Sequence, residues 1–339
     1  MKPITEAEQI SSVAFGFMAS KALFVALHMG LFSRLAGRAL SAEDLAAEAG
    51  VPVNRVLTVL TALTTTGLVT CSDGLYANSP GADTFLVQGA PLDFGDYLRF
   101  QVDRQMFGFM QQLESVVTGD EAGIKVDSYE QWMSDEAEAR LYSESQHAGS
   151  LGPGRTLGRR VDLSRVPHLL DVAGGTGGMA IRLCEANPEL AVTILDFPNV
   201  IALGEEKVAE AGLSERIRFL GGNALSTAWP EPVDAVLMSY LLSGVPGESI
   251  PSLFANAFRV MNPGGVFMVH DFMVDDDRQG PQLAALWQLQ HLAFTPDAES
   301  LTPGALIEGM SAAGFTAIEV FDMIPGMTRV VVGQKPEGV

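Results

Sequence analysis

The chain has 339 residues, with 21 Lys+Arg against 41 Asp+Glu and a formal net charge of −20. An acidic surplus of this size repels phosphate backbones and anionic lipid, so neither nucleic acid nor membrane is an expected partner. The length predicts two domains rather than one core, and Cys71 and Cys184, the only cysteines, give neither a disulfide framework nor a metal-spaced thiolate cluster.

The opening residues, "MKPITEAEQISS", lack a basic region followed by an apolar core. No apolar run is expected to approach the ~18 residues of a membrane span, so a cytoplasmic setting is expected. From Ser12 to about His28, the residues Val13, Phe15, Phe17, Met18, Ala22, Leu23 and Leu27 recur near the helical period with little charge on any face. Such a helix needs cover on most sides. In "LSAEDLAAEAGVPVNRVLTVLTALTTTGLVTCSDGLYANSP", Ser41 caps a short helix that Gly50 ends, and a second helix starts near Pro52. Two short strands around Ser72-Asp73-Gly74 complete a winged-helix pattern. Arg55 is the only cation between Ser41 and Gln88, too few for reading DNA, so the module is expected to be structural or dimerising.

Residues 90–150 read as helices with loops. In "DYLRFQVDRQMFGFM" the residues Tyr97, Gln101 and Arg104 form one stripe at i, i+4 and i+7, and in "EARLYSESQHAGS" Tyr142 and Gln146 share a face with His147 on its flank. Both mixtures suit a ligand pocket or a half-exposed helix face. From Val166 onward strand and helix patterns alternate, and "FTAIEVFDM" and "TRVVVGQ" follow each other closely. This predicts a doubly wound α/β domain with a parallel sheet and an antiparallel last pair.

At Asp171-Val-Ala-Gly-Gly-Thr-Gly-Gly178 the chain must turn sharply from a buried strand into a helix, with its backbone close to a ligand. Asp196 ends the next strand, where a carboxylate can accept both hydroxyls of a ribose. Two readings follow. Gly175-x-Gly177-x-x-Ala180 formally fits a nicotinamide dinucleotide. Asp171 just inside the strand end, Asn223 after the third strand and the closing hairpin favour S-adenosylmethionine.

"LLDVAGGTGG", "ILDFPNV", "RIRFLGGN" and "VMNPGGVFMVHDF", with the winged-helix half, resemble the plant-type small-molecule O-methyltransferases and their bacterial relatives, a class I S-adenosylmethionine family. The resemblance implies a helical winged-helix dimerisation and substrate-roof domain over residues 1–120. A Rossmann-like class I methyltransferase domain would occupy 121–339. It implies a homodimer, a small-molecule substrate, and a cofactor held by Gly174, Gly175, Gly177, Asp196, Asn223 and Ala224, with Asp171, Phe197 and Ser239 beside them. Ala173 and Asn223 depart from the glycine and aspartate frequent at those positions.

After the fourth strand the family usually carries Leu-His-Asp-Trp, whose histidine deprotonates a phenol. This chain has Leu242-Ser243-Gly244-Val245. Losing a positioned base costs on the order of 10²–10⁴ in rate where the nucleophile must shed a proton. Three outcomes remain open: O-methylation of a phenolic acid with another base, metal-assisted C-methylation of a 2-oxo acid, or a nucleophile that needs no base. His270, Asp271 and His291 are candidates for substrate contact, or less favourably for a metal. A thioether sulfur has a lone pair and no proton, so it requires only positioning and exclusion of water. Ser243, "YSESQH" and the acidic composition are similar to the bacterial methylthiohydroxybutyrate S-methyltransferases of dimethylsulfoniopropionate synthesis. That narrower resemblance implies a small carboxylic-acid substrate, 4-methylthio-2-hydroxybutyrate, contacted by Tyr97, Arg104, Tyr142, Gln146 and His147.

Overall fold

A computed structural model of the chain describes residues 3–338. The chain divides into two compact units, Met1–Gln105 and Met106–Val339. Residue 120, where the sequence places the domain junction, lies inside the second unit, just after a helix ending at Thr118.

The first unit is helical. It runs through α1 (Ala7–Ala14), α2 (Gly16–His28), α3 (Leu31–Leu35), α4 (Ala42–Ala49) and α5 (Val53–Thr65). A hairpin of β1 (Val69–Ser72) and β2 (Leu75–Asn78) follows, then α6 (Pro80–Phe85). The Ser41 side chain accepts from Asp44 N at 3.1 Å, and Gly50 ends α4 at φ 65°, where a side chain would be strained. Val56, Leu60 and Leu63 recur along α5 and meet Phe32, Leu35 and Leu45 in one core. Leu40 bridges to Tyr76, completing the wing.

Two expectations for this unit are corrected. Ala7–His28 is a helical stretch long and apolar enough to cross a membrane, whereas no such run was expected. Residues Tyr97–Met106 wind as a π-helix, which breaks the 3.6-residue stripe. Gln101 is therefore fully buried, while Arg104 is exposed with its guanidinium 5.2 Å from the centre of the Phe100 ring.

The second unit opens with α7 (Phe107–Phe109), α8 (Leu113–Thr118), α9 (Tyr129–Met133) and the long α10 (Glu136–Arg160). The α/β alternation then follows: β3 (His168–Val172), α11 (Gly178–Ala186), β4 (Ala191–Asp196), α12 (Pro198–Glu210), β5 (Ile217–Gly221), β6 (Val233–Ser239), α13 (Ile250–Val260), β7 (Met261–Phe272), α14 (Gln282–Phe294), α15 (Pro303–Ala312), β8 (Thr316–Ile324) and β9 (Thr328–Gln334).

The sheet order is β5-β4-β3-β6-β7-β9-β8, with β9 antiparallel to both neighbours and the other pairs parallel. Strands covered on both faces are apolar throughout, and β6 shows how they divide the core. Ala235 and Leu237 face the cluster with Leu157 and Ile181, and Val236 and Met238 face the one with Phe254 and Leu306. The strand order reverses between β3 and β6, so a crevice opens beyond their carboxyl ends, where ligands bind in such sheets. Gly154 lets α10 lie close on α11, because a Cβ there would stand 3.1 Å from Met179 Cα. That contact sets the face of α10 bearing Tyr142, Ser143 and Gln146 against the crevice.

Candidate active site

Beyond β3 the backbone passes through Ala173 at φ 58°, Gly175 at φ 60° and Gly177 at φ 80° before α11 begins. A Cβ on Gly174 would stand 2.6 Å from Asp171 Oδ2, and one on Gly177 2.8 Å from Ile194 Cδ1. The turn is therefore pressed against the sheet on both sides. Asp196 Oδ2 accepts from Gly175 N and its Oδ1 from Phe197 N, each at 2.7 Å. Burial pushes the Asp196 carboxyl up to about 6, against those two amides. Asp171 is fully buried with neither oxygen hydrogen-bonded, and burial, reinforced by the charge of Asp196, pushes it up to about 8.

The crevice is a cavity with an empty volume of about 1350 Å³ including its mouth. Its walls are the glycine turn, the start of α9, the inner face of α10, the turn after β5 (residues 222–225), the end of β6 and residues 244–246. Of the sequence candidates, Asp171, Gly174, Gly175, Asp196, Phe197, Asn223, Ala224 and Ser239 line it together with Tyr142 and Gln146. Gly177 stands behind the turn. His147 lies just outside, its Nδ1 2.8 Å from Thr176 Oγ1, and burial lowers it to about 4.

The acceptor side is aromatic. Gln146 Nε2 donates to the Tyr142 hydroxyl at 3.3 Å, which donates to the Tyr129 hydroxyl at 3.4 Å, and Trp132 backs Tyr142 at 5.0 Å between ring centres. Burial raises the Tyr142 phenol to about 12. Tyr129, Glu130 and Ser143 were not singled out from the sequence. Ser128 as N-cap of α9 was the local signal for Tyr129 and Glu130, whereas Ser143 lies within the "YSESQH" stretch of α10, its Oγ buried without a partner. Glu130, Asp171 and Asp196 line the cavity, and among the described residues no Lys, Arg or His does.

Several candidates lie elsewhere. Ser243 is buried at 1% exposure: its hydroxyl donates to Asp271 Oδ1 at 2.7 Å, and its N–H to Oδ2 at 3.1 Å. His291 Nε2 is 3.2 Å from the same hydroxyl; since the serine proton goes to Asp271, the histidine donates there. His270 Nδ1 meets Ser239 Oγ at 2.9 Å and its Nε2 meets Thr328 Oγ1 at 3.0 Å. Burial holds both histidines near 3 and raises Asp271 to about 6. None of His270, Asp271 and His291 lines the cavity where substrate contacts were expected: both nitrogens of His270 and both oxygens of Asp271 are engaged inside the fold, and His291 is held through Nε2 while its Nδ1 is buried without a partner. Among the described residues no group of three His, Cys, Asp or Glu could hold a metal ion, so His270, Asp271 and His291 do not form the cluster the metal reading needs. Tyr97 and Arg104 belong to the first unit and are not among the lining residues.

The partnerless oxygens of Asp171 and a wall of carboxylates without a cation fit a cofactor with ammonium and sulfonium groups, and oppose the pyrophosphate of a dinucleotide. An O-methyltransferase domain model matches residues 113–316, and an O-methyltransferase dimerisation domain model matches residues 11–88. The chain belongs to the O-methyltransferase family and is an S-adenosylmethionine-dependent methyltransferase.

It is 29% identical to a 3-hydroxy-5-methyl-1-naphthoate 3-O-methyltransferase of Streptomyces sahachiroi, over 96% of this chain and 94% of that one. It is 27% identical to an L-tyrosine C(3)-methyltransferase of Streptomyces lavendulae, over 95% of this chain and 90% of that one. The human N-acetylserotonin methyltransferase, solved with S-adenosylmethionine, shares the fold with a TM-score of 0.85 at 21% identity, over 99% of this chain and 100% of that one.

Proposed function

We propose that this enzyme methylates the thioether sulfur of a small hydroxy acid, 4-methylthio-2-hydroxybutyrate, by direct displacement without a general base. The carrying observation is Ser243. Where O-methyltransferases usually place a histidine, this chain has a serine sealed against Asp271 and off the cavity wall. Of the other ionisable groups on the cavity wall, the Tyr142 phenol is raised to about 12, Asp171 and Asp196 stand at the glycine turn, and Glu130 is hydrogen-bonded to Asn223, so none of these stands where the family histidine would. The relatives act, by their names, at oxygen and at carbon, so family membership leaves the accepting atom open.

Bound S-adenosylmethionine supplies an electrophilic methyl group on a sulfonium. A thioether acceptor gives its lone pair to that carbon as the donor carbon–sulfur bond breaks, and no proton moves. The chain then has only to orient the acceptor and exclude water. In this reading Asp196 takes the ribose hydroxyls and Asp171 the ammonium, with Phe197, Asn223, Ala224 and Ser239 around the adenine. Tyr142 and Gln146, steadied by His147 through Thr176, position the acceptor. The Tyr129 and Tyr142 rings offer cation–π stabilisation to the product sulfonium. Assembly as a homodimer, which the dimerisation domain supports, and a cytoplasmic setting belong to the same proposal.

O-methylation of a phenolic acid is the second reading, favoured by the aromatic acceptor wall and the naphthoate-methylating relative. An assay with S-adenosylmethionine against the thioether hydroxy acid, a phenolic acid and a 2-oxo acid separates them. Sulfonium product from the first alone is expected; turnover of the phenol alone overturns the proposal. In the same assay Ser243→Ala should hold its rate within about ten-fold of wild type, because no proton has to be removed.

A further inference from the structure

The segment from Lys125 to Ser134 is held at both ends. Gln112 Oε1 accepts from Lys125 N at 3.0 Å and Gln112 Nε2 donates to Val126 O at 2.9 Å. At the far end Asn199 Nδ2 donates to Met133 O at 3.1 Å and Ser134 O at 3.2 Å. Between these anchors Ser128, Tyr129 and Glu130 form one wall of the cavity, facing the turn after β5. A side-chain hydrogen bond joins the two walls: Asn223 Nδ2 donates to Glu130 Oε2 at 2.9 Å. Asn223 Oδ1 accepts from Leu225 N at 2.9 Å, which leaves its NH₂ as the group that must face Glu130. The amide is thus oriented before it meets the strap. A carboxylate at 223 would satisfy Leu225 equally well and would repel Glu130.

We propose that Glu130 and Asn223 are a latch that ties the 125–134 strap across the mouth of the cavity and sets how fast the cofactor leaves. Both residues are accessible and neither belongs to a core cluster, so the bond can open without unfolding the site. While it is closed, the strap and the β5 turn are joined over the same end of the cavity that Asn223 lines; when it opens, the strap stays attached by Gln112 and Asn199 and can close again.

The test measures dissociation of S-adenosylhomocysteine from the full-length protein by stopped flow, and requires no acceptor. The readout is intrinsic fluorescence, because Trp132 sits on the strap 5.7 Å from the Tyr129 ring and Trp229 Nε1 donates to Ala224 O in the β5 turn at 3.0 Å. Glu130→Ala and Asn223→Asp should each speed dissociation about three- to ten-fold at low salt, as loss of one charged hydrogen bond and gain of one like-charge contact predict. The exchanged pair, Glu130→Gln with Asn223→Asp, restores a donor facing an acceptor and should return within about two-fold of wild type. An unchanged rate in Glu130→Ala overturns the latch. So does an exchanged pair no slower than Asn223→Asp alone, which would assign the effect of residue 223 to its own contact with the cofactor.

Discussion

Asp171 carries a cost that the ligand-free protein cannot avoid, because a buried carboxylate without partners resists ionisation. Its folded pKa is raised to about 8, so its contribution to stability is present below the unfolded value and is lost as pH rises through about 8. The other shifted groups act elsewhere on the scale. Asp196 and Asp271, raised to about 6, have completed their loss below neutrality. His147, His270 and His291 are lowered, so their contribution fades only as pH falls below the ordinary histidine range. Between pH ~7 and ~8.5 the melting temperature of the ligand-free protein should therefore fall, and Asp171→Asn should flatten that fall. Thermal melts of both proteins across this window check it, and parallel curves would refute the assignment. Asp171 and Asp196 were legible in the sequence because they end buried strands beside a glycine turn. Tyr129, Glu130 and Ser143 were not. Their place depends on how the strap and a 25-residue helix register around a cavity, which no local period encodes.

At the scale of the element, the turn between β3 and α11 has an unusual residue in Ala173, left-handed at φ 58° where its methyl group crowds the backbone. A non-glycine residue there costs about 1–2 kcal/mol, part of which glycine returns as extra freedom of the unfolded chain. Ala173→Gly should raise stability by about 0.5–1 kcal/mol, read as a higher urea midpoint at unchanged slope. A lower midpoint would show that the methyl group packs more than it strains. The α/β alternation itself was readable, since strands covered on both faces must be apolar and their helices cannot be. The π-helical turn at 97–106 was not, because the same residues satisfy a 3.6-residue period on paper while the backbone adopts a wider one.

For the molecule as a whole, the first two helices pose the remaining question of solvation. None of the residues of α1 is buried, and Ile10, Val13, Phe15, Phe17 and Met18 are each more than half exposed. An exposed apolar patch of this kind marks an interface, and it falls within or beside the segment matched by the dimerisation domain at 11–88. Two copies of a chain with net charge −20 repel each other, so the apolar face must supply the attraction and added salt should strengthen the pairing. Replacing Val13 and Phe17 together with Asp puts two charges into that face in each copy. Light scattering on a sizing column should then give the mass of one chain for the variant and of two for the parent. A variant that still runs as two chains would move the interface off α1 and α2, and the exposed run Ala7–His28 would then need a different cover.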